Sequence, residues 1–262
     1  MSKVNSLFVF FVFSLSAFLS LFLAAYAAAA GTAETESAVE KTNAPAFNRN
    51  VKITWFGHSM FLLEFAETKV LIDPYSDIGY PLPIRPIYCD ICIVSHKHLD
   101  HSNLNLAGGP YALLNEEGRS SVRGVNFNLI KSYHDRKKGA DRGENLVSVF
   151  EFDNVRFAHA GDIGAFDEEL IKKIGRIDVL MVPVGGCYTI DAYEAWELIR
   201  YLNPKIIIPM HYKTDRLEKK NPIDPIDKFI SGRTNIVEIS SGSCEINLLD
   251  MPKQETIYFF KF

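Results

Sequence analysis

The segment Ser95-His-Lys-His-Leu-Asp-His101 follows directly on an apolar run at 91–94 that reads as a buried strand. Of the seven histidines in the whole chain, three stand in this one loop beside a carboxylate. In extended backbone, residues two apart project the same way, so His96, His98 and Asp100 can converge on one side. A turn after Asp100 brings His101 to a neighbouring point, and one short loop can then serve two cations. Imidazole nitrogen and carboxylate oxygen suit zinc, manganese and iron, and a donor set without thiolate is of the catalytic rather than the structural zinc type. The competing reading is a polar loop that happens to be rich in histidine. It accounts poorly for three of seven histidines clustered between a strand and a predicted helix.

The rest of the chain sets out strands first, then strands interleaved with helices. Strands are expected at 51–56, 60–65, 69–72, 90–94, 127–132, 146–152, 155–158, 179–184, 206–209, 235–238 and 258–262. A helix is expected over 191–202, where Asp191 and Glu194 suit a capping box, Ala195, Leu198, Ile199 and Leu202 form one apolar stripe, and Asn203-Pro204 ends it. A second is expected over 167–174, stopped by Gly175. Sheets covered by helices follow, of class α/β or α+β. Three further candidate ligands repeat the placement of the histidine loop: His134 follows 127–132, Asp162 follows 155–158 through His159-Ala-Gly161, and His211 follows 206–209. Singly each has a competing reading, His134 as a surface-loop residue, Asp162 as a turn residue and His211 as a capped core histidine. Jointly, each just past a strand, they can line one pocket.

Composition narrows the class. With 47% apolar and 23% charged residues over 262 positions, the chain has the make-up of a packed globular protein with room for one large domain, placed at 49–262. A formal charge of -4 and no long basic run argue against a nucleic-acid partner, leaving a small-molecule substrate; the oligomeric state stays open. Lys3 precedes an uncharged Phe-, Leu- and Ala-rich stretch to about Ala30 that contains Ala25-Tyr26-Ala27, so residues 1–30 read as a signal peptide or, if uncleaved, an N-terminal membrane anchor. Residues 31–48 are small and polar, a flexible leader. The expected location is periplasmic or extracellular. Cys89 and Cys92 sit in a predicted buried strand, on opposite faces, and read as core cysteines rather than a redox or metal motif; pairing of Cys89, Cys92, Cys187 and Cys244 is left open.

The loop His96-Lys-His-Leu-Asp-His101 fits the HxHxDH motif, and the chain resembles the metallo-β-lactamase superfamily of metal-dependent hydrolases. Ile53-Thr-Trp-Phe-Gly-His58, Asp73-Pro74, His159-Ala-Gly-Asp162, Pro183-Val-Gly-Gly186 and Tyr188-Thr189 are similar to its ascorbate-phosphate-lactonase-like branch, and the likeness covers residues 51–212. The resemblance implies a four-layer αββα sandwich with metals at one edge. It places one cation between His96, His98 and His134 and another between Asp100, His101 and His211, with Asp162 bridging them. The cofactor implied is two divalent ions, zinc first, with manganese or iron as alternatives. Asp73 is expected to orient the ligand loop. His58 is expected to touch substrate or to be structural, and His159 to be a substrate contact, a supporting donor or an alternative ligand to His134. Tyr188 is expected near substrate or behind the ligands.

Two cations sharing a carboxylate can share a water and make hydroxide available near neutral pH, with Asp100 and Asp162 as the catalytic carboxylates that accept or relay a proton. Lactone or other ester hydrolysis comes first among the expected reactions, phosphodiester hydrolysis second, and β-lactam cleavage last. An iron-dependent oxidoreductase on the same fold and a non-catalytic metal-binding protein are the alternatives. A serine hydrolase is disfavoured, since no GxSxG elbow occurs and Ser240-Ser-Gly-Ser243 lacks its glycine spacing.

Overall fold

A computed structural model describes residues 49–262 except Glu218. The signal peptide or anchor expected at 1–30 and the leader expected at 31–48 lie outside the described residues. The chain forms strands β1 (Asn50–Gly57), β2 (Met60–Phe65), β3 (Thr68–Ile72), β4 (Ile87–Tyr88), β5 (Ile91–Ile93), β6 (Ala107–Gly108), β7 (Ala112–Leu114) and β8 (Gly118–Val122). These are followed by β9 (Val125–Tyr133), β10 (Glu144–Phe152), β11 (Val155–His159), helix α1 (Glu168–Ile174), β12 (Val179–Pro183), α2 (Ala192–Leu202) and β13 (Ile206–Met210). Helix α3 (Asp227–Ile230), β14 (Ile236–Ile239), β15 (Ser243–Asn247) and β16 (Thr256–Phe260) complete it.

One sheet has the order β15-β1-β2-β3-β5-β7, the other β14-β16-β13-β12-β11-β10-β9-β8, and β4 pairs with β6 apart from both. Strand direction decides where the chemistry can sit. In the first sheet β1 and β3 are both antiparallel to β2, and β5 is parallel to β3, so β1, β3 and β5 end at one edge. In the second, β9 and β11 are both antiparallel to β10, and β12 and β13 run parallel to β11, so β9, β11 and β13 also end together.

The two-residue period of the strands builds the core. Val51, Ile53, Trp55, Phe61, Leu63, Val70, Ile72, Ile91 and Ile93 join Phe127, Leu129, Phe150, Phe157 and Ile208 in one buried cluster between the sheets. The intervening Met60, Leu62, Leu71 and Cys92 face the other way and pack with Tyr75, Tyr80, Leu106 and Leu217. Both faces of the first sheet are therefore covered, which is why 60–63 and 70–72 are continuously apolar. Each such side chain contributes about 1.5–3 kcal/mol on burial.

The two predicted helices form as read. Asp191 caps α2 with the reciprocal Glu194 bond of a capping box, and Asp167 caps α1, which Gly175 closes. They pack against the second sheet, α1 on β9 and α2 on β12; Trp196 stacks on Phe229 at 4.7 Å and draws α3 onto the same side. The fold is the mixed α/β sandwich expected. Over the first sheet, among the described residues, the outer layer consists of loops, the short β4–β6 pair and one 3-10 turn, Leu104–Leu106. That turn stands where a helix was expected after His101. The Asn103 amide and side chain donate to the Pro74 and Tyr75 carbonyls, tying the segment to a neighbouring loop instead of to its own next turn.

Cys89 and Cys92 are buried and unpaired, as are half-buried Cys244 and exposed Cys187. Contrary to the sequence reading, Cys89 and Cys92 share one face. Cys89 and Asp90 lie outside the strands, between β4 and β5, so strict alternation does not run through them. Among the described residues no helix is long and apolar enough to cross a membrane.

Candidate metal centre

Six strand ends deliver one site. From the first sheet come His58 in the β1–β2 turn, Asp73 after β3 and the 96–101 loop after β5; from the second come His134 after β9, Asp162 after β11 and His211 after β13. The side chains meet at the seam between the sheets.

Asp162 is at the centre, its side chain 2% exposed. Its Oδ2 lies 3.1 Å from His134 Nε2, 3.2 Å from His101 Nε2, 3.3 Å from His211 Nε2 and 4.0 Å from His96 Nε2. Three sets of residues offer one ligand atom each within 4.8 Å of one another: His96, His98 and His134; His96, His101 and Asp162; and His58, Asp100, His101 and His211. All seven residues expected as ligands are thus brought together, and His58 joins them.

Buttressing fixes the ring orientations. Asp73, fully buried, accepts the Ser95 amide on Oδ1 at 2.7 Å, and on Oδ2 the Ser95 hydroxyl at 2.7 Å and His101 Nδ1–H at 2.8 Å. The Ser95 hydroxyl, having donated to Asp73, accepts from His96 Nδ1 at 2.9 Å. Both rings are therefore held with Nε2 facing the centre, the tautomer a metal ligand needs. Asn145, also fully buried, accepts the Asp162 amide at 2.9 Å and donates to the Ala160 carbonyl and the Ser132 hydroxyl. Ser95 and Asn145 were not singled out from sequence, because a lone serine after a strand and an asparagine inside one carry no pattern.

Glycines permit the close approaches. A Cβ on Gly161 would lie 2.3 Å from Asn145 Oδ1 and 2.7 Å from Ser95 Cβ, and one on Gly185 would lie 2.1 Å from the His211 carbonyl oxygen.

Burial and neighbours set the protonation states. Burial pushes His58 down to about 4 and His96 down to about 3 and lowers His98, so these rings are neutral donors. Burial also opposes charge on Asp162, yet the surrounding imidazoles, His101 first, hold it well below the usual carboxylate range. Burial works the same way on Asp73 and Asp100, which His101 and His58 respectively bring down. His101 itself, between Asp162 and Asp73, is raised well above its ordinary value despite burial.

The residues fit a metal. His96 Nε2, His101 Nε2, His134 Nδ1, His211 Nδ1, Asp162 Oδ1 and both nitrogens of His58 are buried with no aligned hydrogen-bond partner. Native proteins seldom leave so many orphaned polar atoms together, and the residues that carry them here are the ones gathered about Asp162 and Asp100. His159 is different. Although buried, it spends Nε2–H on the Ser59 carbonyl at 2.9 Å and accepts the Gly161 amide on Nδ1 at 3.2 Å, so it props the Asp162 loop and stands outside the ligand sets. Tyr188 lies half-buried at the rim, its ring 4.4 Å beneath the Arg142 guanidinium. Beside His96 and His98 a cavity of about 540 Å³ opens, walled by Lys97, Lys131, Arg142 and Glu144 among others.

Comparison with known proteins agrees with this geometry. The β-lactamase superfamily domain family matches residues 52–211. A UPF0173 metal-dependent hydrolase of Methanoculleus marisnigri is 32% identical over 210 residues, covering 71% of this chain and 91% of its own; one from Archaeoglobus fulgidus is 32% identical, covering 66% and 88%. A crystal structure from Thermotoga maritima, described by its name as a Zn-dependent hydrolase of the metallo-β-lactamase superfamily, superposes with a TM-score of 0.68 at 34% identity over 80% of this chain and 98% of that one. Fold, ligand-rich centre and relatives agree: the chain belongs to the metallo-β-lactamase superfamily and is one of its metal-dependent hydrolases.

Proposed function

We propose that the centre holds two divalent cations, zinc foremost, and that the enzyme hydrolyses an ester bond of a small polar substrate, lactones first and phosphodiesters second. His96, His98 and His134 would hold one cation and Asp100, His101 and His211 the other, with Asp162 between them. The observation that carries this is the position of Asp162 Oδ2, within 3.1–4.0 Å of Nε2 atoms from both sets.

When bound, two such cations lower the pKa of a water between them and polarise the carbonyl or phosphoryl group under attack. Asp162, held anionic and out of solvent, keeps the two ligand sets at a fixed separation. Asp100 is the ligand carboxylate open to solvent, its side chain 36% exposed. It can hold the attacking water by a hydrogen bond and, being a weak base, pass the proton outward rather than retain it. Asp73 and Ser95 keep the His101 and His96 rings from turning while charge builds up. The adjoining cavity mixes Lys97, Lys131 and Arg142 with Glu116, Glu117 and Glu144, a wall suited to a polar substrate.

The test is elemental analysis of purified protein, then a panel of lactone, phosphodiester and β-lactam substrates with and without chelator. Chelator-sensitive lactone or ester turnover is expected, and His98→Ala should lose metal and activity together. Activity in a metal-free preparation would remove the reading, and iron with oxygen-dependent turnover would replace it by an oxidoreductase. We also propose, from residues 1–30, that the enzyme acts after export; an uncleaved cytosolic product in its own cells would contradict this.

A further inference from the structure

We propose that His58 is itself a metal ligand, completing with Asp100, His101 and His211 a four-residue site for the second cation. The inference rests on the two-cation reading above. His58 Nε2 lies 3.3 Å from Asp100 Oδ2, and its ring centroid is 4.2 Å from that of His211 and 5.0 Å from that of His101.

Two other roles fit worse. A structural histidine hydrogen-bonds through its ring, as His159 does on both nitrogens, whereas both His58 nitrogens are buried without an aligned hydrogen bond, Nε2 having only the Asp100 carboxylate beside it. A substrate contact has to reach the cavity. The His58 side chain is 6% exposed, against 36% for the Asp100 side chain beside it, and is not among the residues that wall the cavity beside His96 and His98.

The backbone also shows that this ring is held deliberately. His58 has φ 53, in the left-handed region that non-glycine residues seldom adopt, and so does His211 at φ 52. The His58 carbonyl accepts from Trp55 Nε1 at 3.0 Å and from the His211 amide at 3.2 Å, so the two strained residues are joined main chain to main chain, one from each sheet. Such strain persists where the surroundings over-determine it, and here it aims two imidazoles at the same point as Asp100 and His101.

The test uses the full chain, stripped of metal and titrated with zinc or cobalt in chelator-buffered solution. It compares wild type with His58→Ala and with His58→Gln, which keeps the volume. We expect wild type to take up two ions. Both variants should bind the first normally and the second at least about tenfold more weakly, with a changed cobalt absorption spectrum for that second ion. Metal-free His58→Gln, which keeps the volume, should melt close to metal-free wild type, since the ring's one polar neighbour is the part-exposed Asp100 carboxylate. Two ions bound with wild-type affinity and spectrum, with only KM altered, would make His58 a substrate contact and overturn the proposal. A metal-free His58→Gln that melts markedly lower or fails to fold would make His58 structural and overturn it equally. If wild type binds fewer than two ions, the two-cation reading itself fails.

Discussion

The side-chain carbonyl of Asn145 accepts the backbone amide of Asp162 at 2.9 Å, while its amide group donates to the Ala160 carbonyl on the other side of the same turn. One fully buried residue thus sets the position of the carboxylate around which the imidazoles gather. Asn145→Ala strands the Asp162 amide and the Ala160 carbonyl, while the Ser132 hydroxyl keeps its bond to the carbonyl of residue 145. Each buried orphan costs about 1–3 kcal/mol, so unfolding in urea should register a loss of several kcal/mol in the metal-free protein. Metal affinity should fall by about 10–100-fold. Unchanged affinity in a folded variant would show that Asp162 needs no such support.

Asp73→Asn keeps the shape of the residue but replaces one acceptor oxygen by an NH2 group. Three donors, the Ser95 amide, the Ser95 hydroxyl and His101 Nδ1–H, then compete for a single acceptor. We expect about 10–100-fold weaker metal binding and a parallel loss in kcat, with Ser95→Ala affecting His96 alone and more mildly. Chelator competition on the two variants measures this, and equal losses would refute the ordering.

Thiol titration gives an alkaline limit. Burial pushes Cys89 up to about 11 and Cys244 up to about 12, from an ordinary 9.0. A folded-state value above the unfolded one is stabilising in full below the unfolded value, and that contribution is lost as pH rises through the folded one. Unfolding free energy under reducing conditions should therefore fall between pH 9 and 11, and less steeply in Cys89→Ala. Alkylation at neutral pH should label exposed Cys187 before the buried thiols. Rapid labelling of Cys89 in the native protein would contradict both statements.

Gly185→Ala places a methyl group 2.1 Å from the His211 carbonyl oxygen, a backbone atom that cannot step aside without moving the His211 ring. Overpacking of this kind costs about 1–3 kcal/mol. The expected signature is a lowered Tm together with weakened metal uptake, whereas Gly232→Ala, where a Cβ meets nothing within 4 Å, should leave metal uptake unaffected despite its positive φ. Equal metal affinity in both variants would rule out backbone crowding at His211.

Much of this was legible in the residues alone. Residues 96–101, His134, Asp162 and His211 each follow an apolar run that does form a strand, and strand direction alone then brings the runs out at two matching edges. What escaped notice had weak local signals. β8 reads Gly-Arg-Ser-Ser-Val and is largely exposed at the edge of its sheet, β15 is an edge strand with one buried residue, and β7 spans only Ala112–Leu114. None has an apolar face long enough to show a period. Asn145 escaped because its partners are 13 to 17 residues away, and His58 was expected only as a substrate contact or a structural residue because its approach to His211 is set by the packing of one sheet on the other.

The seam location has a further result. The donors of the 96–101 loop travel with one sheet and His134, Asp162 and His211 with the other, so any sliding or opening of the sandwich pulls the donors apart. Ion affinity therefore gauges how faithfully the two layers are seated, and a substitution deep in the shared core, such as Phe61→Leu, should be felt at the rim even though it touches no ligand. Conversely, a loaded centre acts as a rivet through both layers, and this chain should owe part of its resistance to unfolding to the same atoms that give it its chemistry.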